Sequence, residues 1–385
     1  MKKTMILLLA VVIIAGAGFA QELTFSGEVK SGVYWENMKE GDGESKDTAQ
    51  LGNNDDAGYP GPGRIRLNAE LKKAAIGFKV RWETSAFQNN IAPNWSYAYA
   101  YGNFINDQIK LSAGKLGDSP WATGGYEINS SLDDGKAGLR TEVKPGFLPG
   151  LNLGFVLNEA DATLGQADKT VETLLGETII GVSYVHEFFE VRFAYRFDSK
   201  NDMNLLKDEG SKFVYRVEEK ILNNFVPGLS VWANGKYDGL AAEEEGVTRM
   251  VNWVYLQYAS GSLDTQLRMG FDLGYKKSVF TIKPVVSYNI TDILTLRLTF
   301  QYDKDTGEIA IPSPYTTLAV EPLVRINFGP MYVDFAYGYN SAYTAEDRVK
   351  TTHYANLRFV YTFQYPAGTK TFRYHWKVLT FRGGK

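Results

Sequence analysis

Arg64-Ile65-Arg66-Leu67-Asn68-Ala69-Glu70-Leu71-Lys72 changes polarity at every residue. A period of two sends alternate side chains to opposite faces of an extended chain, so this stretch is a strand with one apolar and one charged face. Its neighbour repeats the pattern, with Ile76, Phe78, Val80 and Trp82 between Gly77, Lys79, Arg81 and Glu83. The alternation returns at Leu151/Leu153/Phe155/Leu157, Leu267/Met269/Phe271/Leu273, Leu294/Leu296/Leu298/Phe300, Val324/Ile326/Phe328 and Val333/Phe335/Tyr337/Tyr339. Apolar stripes at helical spacing do not extend beyond two turns. The chain is all-β in its expectation.

Connections between these strands come in two kinds that take turns. Short ones fall at Lys72–Ala75, Asn106-Asp107, Lys144–Gly150, His186–Phe188, Asn223–Gly228, Ser260–Leu263, Thr291-Asp292 and Gly329-Pro330. Long polar ones fall at 37–62, 85–93, 117–135, 159–175, 198–211, 239–247, 303–314 and 341–349. Regular exchange of tight turn and long loop is the plan of a transmembrane antiparallel up-and-down β-barrel with short periplasmic turns and long extracellular loops. The segmentation gives 18 strands up to Phe363, or 16 if two merge between 248 and 290. Pro284 and Pro322 fall inside strands, where each removes a ladder donor, so bulges are expected there.

Composition narrows the function. The 385 residues hold Lys+Arg 41 against Asp+Glu 44, three His and no Cys. Without cysteine there is no disulfide framework, zinc finger or thiol nucleophile. The near balance of charge speaks against a nucleic-acid partner. His186, His353 and His375 are scattered, no Gly-x-Ser-x-Gly elbow is present, and no acid is placed to orient a His, so an enzyme is not expected.

The N-terminus indicates export. Lys2 and Lys3 precede the apolar run Met5–Ile14, and Gly18-Phe19-Ala20 sets small residues at −3 and −1 before Gln21. Residues 1–20 are therefore expected to be a signal peptide, followed by a barrel over 21–363 and a basic aromatic extension over 364–385. A soluble sandwich also alternates. The leader and the aromatics near strand ends (Tyr34-Trp35, Tyr101, Tyr302, Tyr339, Tyr361 and Phe363) favour the outer membrane.

The segment Asn356-Leu357-Arg358-Phe359-Val360-Tyr361-Thr362-Phe363, with alternating aromatics and a final Phe, resembles the closing strand of bacterial outer-membrane β-barrel porins. Taken from Glu22 to Phe363, the chain is similar to that family in pattern. The resemblance implies recognition of the terminal Phe by the barrel-insertion machinery, an outer-membrane lipid environment and a homotrimer. It departs from the family in the residues after Phe363, where Thr371–Phe381 alternates again and offers an alternative last strand.

If the apolar set faces lipid, the other set lines a water-filled lumen. Inward bases are then Arg64, Arg66, Lys72, Lys79, Arg81, Arg140, Arg192, Arg196, Arg268, Arg297, Arg325 and Arg358, against inward acids Glu70, Glu83, Glu142, Asp272 and Asp334. This makes a basic wall. In porins similar to this chain, the third long loop folds into the barrel and opposes acids to an arginine ladder. Here the loop is 117–135, with Asp118, Glu127, Asp133 and Asp134 as its acids and Arg64, Arg66, Arg81 and Arg140 as the ladder. Opposed charges would set a transverse field that screens solutes. Tyr97, Tyr99 and Tyr101 alternate with Ser96, Ala98 and Ala100 and are expected to face lipid, which leaves no aromatic slide for sugars.

The outer loops are acidic, with Glu40, Asp42, Glu44, Asp47, Asp55 and Asp56 in 37–62 and Glu243-Glu244-Glu245 in 239–247. Their spacing fits no EF-hand, and neither metal nor cofactor is assigned. The expected function is passive diffusion of small hydrophilic solutes or ions. The alternative is an adhesin or structural barrel acting through these loops.

Overall fold

The computed structural model describes residues 22–51, 63–85, 94–117, 119–121, 137–158, 178–197, 212–238, 248–274, 278–305, 316–343 and 349–365. Its strands are β1 (Glu22–Glu40), β2 (Lys46–Leu51), β3 (Arg64–Lys73), β4 (Ile76–Ser85), β5 (Asn94–Phe104), β6 (Ile109–Lys115) and β7 (Ala137–Val143). There follow β8 (Leu151–Asn158), β9 (Thr178–Val185), β10 (Phe189–Arg196), β11 (Lys212–Glu219), β12 (Leu229–Asp238) and β13 (Thr248–Ser260). The last are β14 (Leu263–Gly274), β15 (Ser278–Asn289), β16 (Leu294–Asp305), β17 (Thr316–Phe328), β18 (Met331–Tyr343) and β19 (Val349–Tyr365). A one-turn helix, α1 (Leu222–Phe225), sits in the β11–β12 connection.

Successive strands from β3 onward pair antiparallel, and β19 returns to β1 from Phe25↔Tyr365 to Glu40↔Lys350. β2 and β3 share the other edge of β1: β2 lies against Val33–Met38 and β3 against Glu22–Lys30. Together they make one wall strand, so the result is a closed barrel of 18 strands. Closure pairs the backbone groups that an open edge would leave bare. β13, β14 and β15 are three separate strands, so no merger between 248 and 290 occurs.

The prolines interrupt the ladder without shifting it. Ile282↔Tyr302 and Val285↔Thr299 keep one register across Pro284, as Val320↔Tyr339 and Leu323↔Ala336 do across Pro322. The expected bulges are therefore pairing gaps, because a missing N–H costs one bond while the strand stays extended. Register shifts occur instead between Arg81 and Trp82 on β4, and between Thr248 and Met250 on β13.

Two faces follow from the alternation. Leu153, Phe155, Leu296, Leu298, Phe335 and Phe359 are exposed on the outside, whereas their strand neighbours Asn152, Val156, Thr299, Asp334 and Arg358 are buried on the inside. Exposed large apolar side chains over a whole barrel wall are what a lipid-facing surface presents. Phe363 lies on that outer face over Gly27, where a Cβ would come within 2.4 Å of its ring. The last described strand runs two residues past Phe363, to Tyr365. The expected signal peptide and the alternating stretch 371–381 lie outside the described residues.

One turn design is used twice. Phe147-Leu148-Pro149-Gly150-Leu151 leads into β8 and Phe225-Val226-Pro227-Gly228-Leu229 into β12. Both glycines have φ 91°, and their carbonyls accept the N–H of Val185 at 3.0 Å and of Ala259 at 2.9 Å.

Candidate functional site

The inner wall carries the ionisable side chains, and these are largely paired. On β1, β3 and β4, Arg64 donates to Glu28 at 2.6 Å and lies 3.8 Å from Glu83, while Arg66 donates to Glu83 at 2.9 Å. Lys79 stands 3.7 Å from Glu70, and Arg81 donates to Asn68 at 2.7 Å. Lys72 lies at the short-turn end of the same ladder, opposite Gly77.

Further round, Arg297 donates to Glu321 at 3.2 Å, and Tyr354 donates to the same carboxylate at 2.8 Å. Arg325 grips Asp334 through two bonds of 2.7 and 3.0 Å, and Arg358 donates to Asp334 from the next strand at 2.9 Å. Arg325 also lies over the Tyr332 ring, 3.9 Å from its centroid. On the opposite side, Arg192 donates to Glu190 at 2.6 Å and Lys220 reaches the same group at 3.0 Å. Arg196 is on the inner register of β10, opposite Ile179. Arg268 is buried and donates to Gln266 at 2.9 Å, beside Lys283 in the ladder.

Every base read from the alternation thus stands on the inner register. The acids are more numerous there than the chosen segments suggested, because Glu28, Glu190, Glu218, Asp303 and Glu321 share that face. Further bases, Lys30, Lys110, Arg216, Lys220 and Lys283, share it as well, so the wall is a mosaic of ion pairs.

The tyrosines of β5 face inward, contrary to expectation. Tyr97, Tyr99 and Tyr101 are buried, with Arg81, Arg140 and Lys110 over their respective rings. Tyr101 lies across Gly77 and donates to Glu70 at 2.6 Å. Ala98, Ala100 and Gly102 take the outer register instead. Alternation alone cannot say which of two sets faces lipid when one is aromatic and the other small; packing against an inward-folded chain decides it.

That chain is the start of the third long connection. Gly117 accepts a bond from Arg140 at 3.1 Å, Ser119 Oγ accepts the Trp121 N–H at 3.3 Å, and Trp121 is 1% exposed. Trp121 clusters with Tyr97, Tyr99, Tyr101, Leu116, Val156 and Ile179 on the inner wall. Arg140 is therefore covered, its side chain 0% exposed beside Glu142, and is not an open rung of a ladder. Asp118, Glu127, Asp133 and Asp134 lie outside the described residues.

A second inner aromatic patch went unseen in the sequence. Trp232 and Tyr255 stack 4.9 Å apart on β12 and β13, and Trp253 joins them over Gly270. Tyr34 and Tyr354 stack 5.9 Å apart across β1 and β19. The glycines beneath such rings, Gly77, Gly270 and Gly338, were the available signal: each interrupts a strand on the face where a neighbouring strand brings an aromatic.

No family model matches this chain, and no curated protein matches it. Solved structures do. The crystal structure of Pseudomonas aeruginosa OpdQ has a TM-score of 0.55 at 11% identity, covering 89% of this chain and 98% of that one. Acinetobacter baumannii OccAB4 has a TM-score of 0.57 at 10% identity, covering 90% and 99%. The outer membrane protein OpdK from Pseudomonas aeruginosa has a TM-score of 0.55 at 10% identity, covering 89% and 99%. With its closed wall and its turns at one end, this chain has the fold of the outer-membrane porins.

Proposed function

We propose that the protein is a passive channel of the outer membrane, passing small hydrophilic solutes and ions down their gradients. The observation that supports it is the ion-paired strip on β16–β19 and β1–β4. Its side chains stay in contact with solvent inside a closed wall: Arg64 is 25% exposed, Arg66 27%, Arg325 29% and Glu83 27%. An Arg or Lys turned to lipid at mid-membrane would cost about 2–4 kcal/mol, so a charged inner strip calls for water beside it. The remaining excess of guanidinium and ammonium groups favours anions mildly. Membrane lipid covers the outer apolar face, and no bond-making step belongs to this reading.

The test is single-channel recording of refolded protein in a planar bilayer under a salt gradient. Stepwise conductance with a reversal potential displaced toward anions is expected. Silence from protein shown by circular dichroism to be folded would discard the channel and leave binding through the acidic loops.

A further inference from the structure

Gly154 on β8 and Gly181 on β9 stand directly opposite each other in the ladder. A Cβ added to Gly154 would lie 1.6 Å from the Trp121 indole, and one added to Gly181 would lie 2.2 Å from it. Neither glycine has a positive φ, so the backbone does not require glycine at either place. The ring does. Paired glycines make a flat dish on the inner wall, and the indole lies in it.

The rest of the seat is built to match. Val156 and Ile179 stand two residues along from the glycines on the same face, and Tyr97, Tyr99 and Leu116 close round the ring, all of them buried. The chain leading to it is tied down by Arg140 through the Gly117 carbonyl, and Arg140 is itself braced 3.2 Å from Glu142. An exposed loop needs neither a buried indole nor a glycine pair on a distant strand.

We infer that Trp121, Gly154 and Gly181 form an anchor that sets the free cross-section of the channel. The seated indole holds residues 119–121 against the β5–β9 wall inside the lumen, and solutes pass along the charged strip opposite. Trp121 is a positioning residue here, acting through the chain that it pins. This inference rests on the channel reading of the preceding subsection.

Single-channel conductance of four proteins tests it: the parent chain, Trp121→Ala, the pair Gly154→Ala with Gly181→Ala, and all three together. Only folded, inserted barrels contribute steps, so a loss of yield does not mimic a change of pore. Trp121→Ala should raise unit conductance by roughly a factor of two, since the narrowest part of an aqueous path dominates its resistance. The glycine pair should lower it, because the displaced ring pushes its chain into the lumen. On the Trp121→Ala background the glycine substitutions should have no effect, because the atoms they strike are gone. If Trp121→Ala inserts poorly, the glycine pair compared with the parent still decides the matter, because it keeps the indole. A conducting parent whose variants match it in conductance and reversal potential would overturn the anchor alone, as would glycine effects that persist without the indole. A silent parent would overturn the channel and the anchor together.

Discussion

Asp334 on β18 lies directly opposite Arg325 on β17, with Arg325 Nε 2.7 Å from its Oδ1, and the same carboxylate also takes Arg358 from β19. One buried acid thus ties together three adjacent strands beside the β19–β1 closure. Its side chain is 2% exposed, and the two guanidiniums that it joins are held close together.

Replacing Asp334 by Ala leaves the Arg325 and Arg358 guanidiniums facing each other without the carboxylate that joins them. The expected cost is about 3 kcal/mol, the low end for breaking a buried pair, because Arg325 keeps contact with water. A lowered denaturant midpoint in detergent micelles checks this, together with a reversal potential moved toward anions. An unchanged midpoint would mean that water replaces the carboxylate at little cost.

Arg64→Ala with Arg66→Ala removes the arginine partners of Glu28 and Glu83 and leaves both acids on the inner wall, with Lys30 beside the first and Ser96 beside the second. Conductance should rise and selectivity should move toward cations. The shift should shrink as salt increases, since exposed charges are screened over about 10 Å at 0.1 M. Recordings at two salt concentrations measure it. Identical reversal potentials in parent and variant would place these arginines away from the path of the ions.

Gly228→Ala strains the turn into β12 twice. The residue would sit at φ 91°, and its Cβ would stand 1.9 Å from the Ala259 carbonyl oxygen. Left-handed backbone alone costs a non-glycine residue roughly 1–2 kcal/mol, and the contact adds to that. The same change at Gly150 should behave alike, because the two turns share one design. Unfolding midpoints of the two variants should fall together; a fall in one only would break the equivalence.

The chain has no cysteine, so single cysteines report their surroundings without background. Lys79→Cys on the inner wall should react with a charged, water-soluble maleimide in liposomes. Ala100→Cys, exposed on the outer face of β5, should stay unreacted because lipid covers it. Labelling of Ala100→Cys would turn β5 over and return its tyrosines to the lipid.

Period-two alternation was enough to set out the strands and the place of each tight turn, but it left their number at 18 or 16 until the pairing of β13, β14 and β15 settled it. It was also enough to assign Arg64, Arg297 and Arg358 to the inside, because Ile65, Leu296, Leu298 and Phe359 flank them in bulky apolar sets. Side-chain direction in a strand is a local property, so it survives without knowledge of the partners. Where both sets could face lipid, the rule had no purchase: Tyr97, Tyr99 and Tyr101 against Ala98 and Ala100 is such a case. Pro322 likewise marked a lost donor, but whether the strands slip or merely skip a bond is decided by the partner strand.

By itself, then, the sequence determined an alternating wall with charges on one face. Only the tertiary structure decided that Glu28 meets Arg64 from 36 positions away, that Arg140 is covered, and that Trp121 lies on two glycines of other strands. The reason is one of range. Alternation is written along a single strand, whereas pairing, burial and a ring's seat depend on which strands curvature and closure bring face to face across the lumen.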